Sequence, residues 1–203
     1  MRQSVFAPPQ MACFASEARR LAQRIAMWSG PCNLSPALMR SFGSRGDTLV
    51  SDEPFYGAYL RHTGFDQPLK DAVMPSMETD WHRAAAALSG EAPAPIWQQK
   101  HMAHHMTGPI DCGDLPGFAH AFLIRAPERV VASYVDKGVA VTPDDLGYAR
   151  QRGEFDRPAD RLGHAPPVLD ASARAVSDAC RPDYAYLTRF LIGFGENVRV
   201  APG

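Results

Sequence analysis

The chain has 203 residues, 45% apolar and 21% charged, which allows one globular domain with a sizeable core and argues against a disordered or fibrous protein. Its 21 basic and 22 acidic side chains leave a formal charge of -1, so no global positive field draws it to nucleic acid or an anionic membrane. No run approaches the roughly 20 apolar residues of a membrane span, and the expectation is a soluble, cytoplasmic protein.

Cys13, Cys32, Cys112 and Cys180 are scattered and form no CxxC pair, which speaks against a disulfide framework or a cysteine zinc site and fits a reducing compartment. Residues 1–23 carry Pro8-Pro9 and lack the apolar stretch of a secretory signal. They are read as a weakly structured extension, with a composition that also suits a transit peptide.

From Arg24 the sequence alternates short apolar runs with helical stretches, which predicts an α/β domain over 24–170 with a mainly parallel sheet flanked by helices. The first strand, 24–29 (RIAMWS), runs into Ser29-Gly30-Pro31 and a loop through Cys32, Asn33 and Leu34. A helix is expected over 36–43, with Ser35 as its cap and Pro36 in its first position. Such a loop presents backbone N–H groups and a positive dipole end, the usual seat of a phosphate in parallel α/β domains. The pattern is not that of a nucleotide hydrolase, because Ser35, Pro36 and Ala37 stand where GxxxxGK[ST] requires Gly, Lys and Ser/Thr.

A second strand is predicted at 48–52, followed by Glu53-Pro54, an ordinary place for an exposed strand-end carboxylate. Residues 64–79 and 91–95 read as loops around a helix at 80–89. A third strand at 96–101 leads into QKHMAHHM, where Lys100 adjoins His101 and His104-His105 follow. These histidines are open to two plain readings, a metal site, which lacks the glutamate of HExxH, or neutral imidazoles packed under the first strand. The fourth strand, 119–124, ends at Arg125, and Ser133 lies eight residues on in a helix predicted over 127–137. Helices at 144–152 and 154–162 and a strand at 166–169 complete the domain. Residues 171–203 form a divergent short tail, with a helix expected at 183–192.

The first loop resembles the 5'-phosphosulfate loop of the P-loop sulfotransferases, in particular a bacterial subgroup with W-S-G-P-R-N-x-S-T-A-x-M-R-S-F. Trp28, Ser29, Gly30, Pro31, Asn33, Ser35, Ala37, Met39, Arg40, Ser41 and Phe42 match it. Cys32 departs from a basic residue and Pro36 from a hydroxyl. The resemblance implies a P-loop NTPase-like sulfotransferase architecture with 3'-phosphoadenosine 5'-phosphosulfate as co-substrate and no metal. It further implies that Ser29 to Pro36 hold the 5'-phosphosulfate, that Arg125 and Ser133 hold the 3'-phosphate, and that Glu53 is the base. Lys100-His101 is similar to the K-T-H-L-P strand of cytosolic members, which makes His101 the second candidate base and Lys100 the cation for the leaving oxygen. The acceptor would be a small molecule held by loops 54–79 and 138–165. The two departures and the short tail imply an alternative, a degenerate, non-catalytic nucleotide-binding domain of the same fold. A pyridoxal-phosphate aminotransferase is a third reading, with Lys70, Lys100 or Lys137 as the only lysines for a Schiff base.

Overall fold

The apolar run Gln23–Ser29 forms β1, fully buried from Ile25 onward, and becomes the centre of the sheet. In the computed structural model, which describes residues 22–67, 70–136 and 141–171, β1 lies between β3 (Ile96–Met102) and β4 (Phe118–Ile124). The outer strands are β2 (Thr48–Asp52) and β5 (Val168–Asp170), giving one parallel sheet in the order β2-β3-β1-β4-β5. The expected mainly parallel sheet is therefore wholly parallel among the described residues. Register places Ser29 beside Met102 and Asp52 beside Lys100, so the ends of β1, β2 and β3 meet at one edge.

Alternation along the central strands gives the sheet two apolar faces. On one, Ile25, Met27, Ala121 and Leu123 pack with Leu38 and Phe42 of α1 (Ser35–Gly43). On the other, Ala26, Trp28, Trp97 and Phe122 pack with Phe55, with Ala58 of α2 (Tyr56–Thr63) and with Trp81, Ala84, Ala85 and Leu88 of α4 (Trp81–Ser89). Between α2 and α4, the short α3 (Lys70–Val73) and a 3₁₀ turn (Met74–Ser76) occupy what the sequence presents as loop. The helix α2 was not expected either. Its weak formers include Gly57, and a Cβ there would approach the Glu78 carbonyl oxygen to 2.6 Å, so glycine permits the close packing that holds the helix.

Beyond β4 come α5 (Pro127–Val135), α6 (Pro143–Leu146) and α7 (Tyr148–Leu162). Two separate helices were expected at 144–152 and 154–162; the structure has one continuous helix through Gly153. Its buried face consists of Gln151, Glu154 and Pro158, spaced as neighbours on a helix. Pro158 has no N–H to offer the carbonyl four residues earlier, that of Glu154. That carbonyl lies 3.3 Å from the Cys112 thiol, which donates to it, while the Glu154 carboxylate accepts the Cys112 N–H at 2.9 Å. Burial and the neighbouring Glu154 push the Cys112 thiol up to about 12, which keeps it protonated as a donor. Residues 1–21, the helix expected at 183–192, the tail past 171 and Lys137 lie outside the described residues. Among the described residues, no helix is long and apolar enough to cross a membrane.

Four histidines are packed inside this frame. His101 stacks on Trp28 at 4.6 Å between ring centroids, and Trp28 Nε1 donates to Nδ1 of His120 at 3.0 Å. Burial lowers His101 to about 3, His104 and His120 to about 4 and His105 to about 2, so all four are neutral in the folded protein. An unfolded histidine takes its proton near pH 6.5, so the contribution to stability is complete above that value and is lost progressively as pH falls below it. Each fully buried histidine costs about 1.4 kcal/mol per pH unit below 6.5. Urea unfolding at pH 7 and pH 5.5 is expected to show a drop of several kcal/mol, and equal midpoints at the two values would refute neutral burial.

Candidate functional site

The loop from Gly30 to Leu34 joins the buried end of β1 to α1. Its turn requires left-handed backbone at two side-chain-bearing residues, Cys32 and Leu34, each with φ 58°. Ser35, expected as the cap, is instead the first helical residue. Leu34 takes the cap position with no side-chain hydrogen bond, and the first turn closes through Ala37 N and Leu38 N on the Leu34 carbonyl. No acidic residue lies in that turn. An uncapped helix start of this kind offers amide hydrogens and a positive dipole end to an anion.

The loop is fastened from below. Asn33 is 1% exposed and turned inward, its Nδ2 donating to the Leu123 carbonyl at 3.0 Å. The same carbonyl accepts Nε2 of Gln151 from α7 at 2.9 Å. A Cβ on Gly30 would lie 3.2 Å from the Leu146 carbonyl oxygen and 3.4 Å from Gln151 Oε1, so the α6–α7 corner closes against the loop where only glycine fits comfortably. Ser29 is also buried, with Oγ 3.4 Å from the His101 carbonyl. Pro31 is half-buried, while Leu34 and Pro36 face outward.

Arg125, just past β4, reaches this loop and donates from Nη1 to the Cys32 carbonyl at 2.7 Å. Its own carbonyl accepts from the Tyr148 hydroxyl at 3.3 Å. The helix α5 approaches the same place, since the Tyr134 phenol is pushed up by burial and next by the Cys32 thiol. Ser133, the neighbour of Tyr134 on α5, is half-buried. The sequence-predicted anion residues of the first loop and Arg125 thus come together at one edge.

Beside it, at the ends of β2 and β3, lies the second group. Lys100 is 3% exposed at its side chain, and its ammonium contacts Asp52 Oδ1 at 2.7 Å and Glu53 Oε1. Glu53 leaves the strand with φ 46°, its N–H on the Lys100 carbonyl at 2.9 Å and its own carbonyl accepting from Tyr56 N. That conformation is costly for a non-glycine residue and turns the carboxylate toward Lys100. Glu53 Oε2 lies 3.8 Å from Nδ1 of His105, whose ring is stacked with Tyr56 and Tyr59.

His101 is placed differently. Adjacent strand residues project to opposite faces, so when Lys100 meets Glu53, His101 points into the aromatic core. It is 1% exposed, with its ring 5.6 Å from that of Phe55 and Nε2 at 3.2 Å from Gln99 Oε1. Its neighbours therefore match the packed, neutral imidazole better than an accessible base. Two participants carried weaker signals. Asp52 is an ordinary strand-end carboxylate in sequence, and Gln151 sits in a polar stretch without any motif.

Comparison with known proteins bears on this edge. A family model described as "Sulfotransferase domain" matches residues 23–182. Two Arabidopsis thaliana proteins are similar: "Branched-chain-amino-acid aminotransferase-like protein 1", 33% identical over 111 residues, 54% of this chain and 20% of that protein, and "Branched-chain-amino-acid aminotransferase-like protein 2", 33% identical over 148 residues, 72% and 26%. The chain spans about a quarter or less of the length of these curated relatives.

The paired contacts of Lys100 make a testable energetic claim. Lys100→Met is expected to destabilise the protein by about 2 kcal/mol, because Asp52 and Glu53 then face each other without their cation. Adding Glu53→Gln should recover about 1 kcal/mol of that loss in a denaturant double-mutant cycle. Additive losses would mean that the lysine and the glutamate are not energetically paired.

Proposed function

The chain belongs to the sulfotransferase-domain family, and on that premise we propose that it binds 3'-phosphoadenosine 5'-phosphosulfate and catalyses sulfuryl transfer to a small hydroxyl or amine acceptor. The observation that carries this reading is the convergence of an uncapped α1 N-terminus and Arg125 on one side with the Lys100–Glu53 pair on the other. The donor groups suit the co-substrate, since backbone amides, a helix dipole and a guanidinium all favour phosphate oxygens.

In this proposal the backbone of residues 29–36 seats the 5'-phosphosulfate end. Ser29 and Asn33 act through the fold of the loop, because their side chains are turned inward. Arg125 and Ser133 hold the 3'-phosphate. The co-substrate supplies an activated sulfuryl group on a phosphate leaving group. Glu53 takes the proton of the acceptor as its oxygen or nitrogen bonds to sulfur, and Lys100 faces the oxygen on which charge develops as the sulfur–oxygen bond to phosphate breaks. His101 is assigned to packing.

A second reading, nucleotide binding without turnover, is favoured by one observation: Lys100 is almost completely buried and engaged by two carboxylates. The pyridoxal-phosphate reading is not carried further. The same engagement occupies Lys100, and the aminotransferase-like names belong to proteins of which this chain matches only a minor part.

Calorimetry with adenosine 3',5'-bisphosphate tests the reading. Arg125→Ala should weaken binding roughly tenfold or more, the value of one charge-assisted hydrogen bond. Cys32→Arg with Pro36→Thr, which adds a cation, a hydroxyl and a backbone N–H, should tighten it by at least about tenfold. Glu53→Gln should leave the affinity nearly unchanged while abolishing turnover. Absence of bisphosphate binding in both the parent and the double variant would remove the nucleotide from the proposal.

A further inference from the structure

The sequence groups His105 with His101 and His104, yet the three rings have different surroundings. His101 is enclosed in the core, whereas His105 stands on the 3₁₀ turn Ala103–His105 directly after β3, at the edge where Glu53 and Lys100 meet. Its ring stacks against two tyrosines of α2, with centroids 4.9 Å from Tyr56 and 4.6 Å from Tyr59, which are themselves 6.2 Å apart, and His104 approaches edge-on at 4.3 Å. Two stacked tyrosine rings against it and a third ring across its edge fix the plane of the imidazole and hence the direction of its nitrogens. Nδ1 is the nitrogen turned to Glu53, 3.8 Å from Oε2.

We infer that His105 is a positioning residue for Glu53: its clamped ring directs an Nδ1 hydrogen at Oε2 while Lys100 holds Oε1, so that the carboxylate is fixed from both sides and its outward lone pairs face the acceptor. This inference rests on Glu53 being the base proposed above. The separation is longer than a hydrogen bond, so the contact acts through the attraction between the Nδ1 hydrogen and the carboxylate.

The charges around the ring select the tautomer. Glu53 faces Nδ1 from the end of β2, Tyr56 and Tyr59 cover the ring from α2, and Lys100 and His104 lie on its own side of the sheet edge. Asp145 and Arg150 act on the adjoining His104 from α6 and α7. Burial, with His104 and Lys100 adding to it, lowers His105 to about 2, so the ring carries one hydrogen. A lone pair on Nδ1 would face the negative oxygen, whereas a hydrogen there is attracted to it. Placed on Nδ1, that hydrogen leaves the nitrogen nearest Glu53 without a free lone pair. The proton collected from the acceptor therefore remains on Glu53.

The tautomer is directly observable in ¹⁵N–¹H correlation spectra of the full chain labelled at histidine, with His105 assigned by the signals missing from His105→Phe. At pH 7 the expected result is a pyrrole-type Nδ1 and a pyridine-type Nε2, with a bias of roughly tenfold or more toward Nδ1–H. Glu53→Gln should abolish the bias, and Asp52→Asn, which touches Lys100 alone, should preserve it. An Nε2–H ring in the parent, or an Nδ1–H bias unchanged in Glu53→Gln, would overturn the inference. The parent spectrum decides if the Glu53 variant does not fold. Adding adenosine 3',5'-bisphosphate to the same sample separates the two proposals: binding to a protein with an Nε2–H ring retains the nucleotide reading and rejects the positioning role. An Nδ1–H ring without any binding rejects the sulfuryl-transfer reading and, with it, the catalytic purpose of the pair.

Discussion

Everything at the edge where β2 and β3 end depends on how one ammonium group is kept out of water. A lysine buried as deeply as Lys100 must be compensated, because desolvating its charge costs several kcal/mol unless opposite charge and hydrogen bonds offset it. The compensation here is doubled, from Asp52 in the neighbouring strand and from Glu53 one residue past its end. The left-handed turn at Glu53 follows from that need, since an extended backbone would carry the next side chain to the other face of the sheet. The strain of the turn and the burial of the lysine are two sides of one arrangement. Neither is stable alone, and together they place a carboxylate beside a cation at the mouth of the sheet.

The phosphate-type loop is supported by a different kind of contact. Its anchor is the Leu123 carbonyl, which receives amide hydrogens from Asn33 in the loop and from Gln151 in α7. These two amides satisfy one buried acceptor and bind three chain segments together. The segment from 143 to 162 is consequently part of the frame of the site. Further contacts tie it to the end of β3, with the Arg150 guanidinium on the Met106 carbonyl at 3.0 Å.

The sequence made the sheet legible because its central strands are short, continuously apolar and bounded by turn residues. The run 48–52 was bounded as observed, and the others shifted by a residue or two at their ends. The first loop was legible through its match of residue types, and Arg125 through its place at a strand tip. What escaped was encoded by contacts between distant residues. The helix α2 depends on Gly57 fitting against Glu78, and α7 has no apolar stripe because its buried face is amide, carboxylate and proline. His101 was attractive because it adjoins Lys100 in sequence, yet that adjacency is what turns it away in a strand. His105, four residues on and past the strand end, returns to the edge because the 3₁₀ turn breaks the alternation.

Pro158 has a consequence that reaches well beyond its own helix. By leaving the Glu154 carbonyl without a helical donor, it puts a notch in one side of α7, and Cys112 is the key that fits it. Rolling the helix by a single residue would swing the notch about 100° away and leave a bare acceptor facing apolar side chains. The assembly is therefore indexed by penalty, since wrong settings are costly even though the right one gains little from a thiol bond. Gln151 lies about one turn before the notch on the same face, so the setting that seats the thiol also aims the glutamine at the Leu123 carbonyl beneath the first loop. A proline remote from any chemistry thus acts as a locating pin for the site.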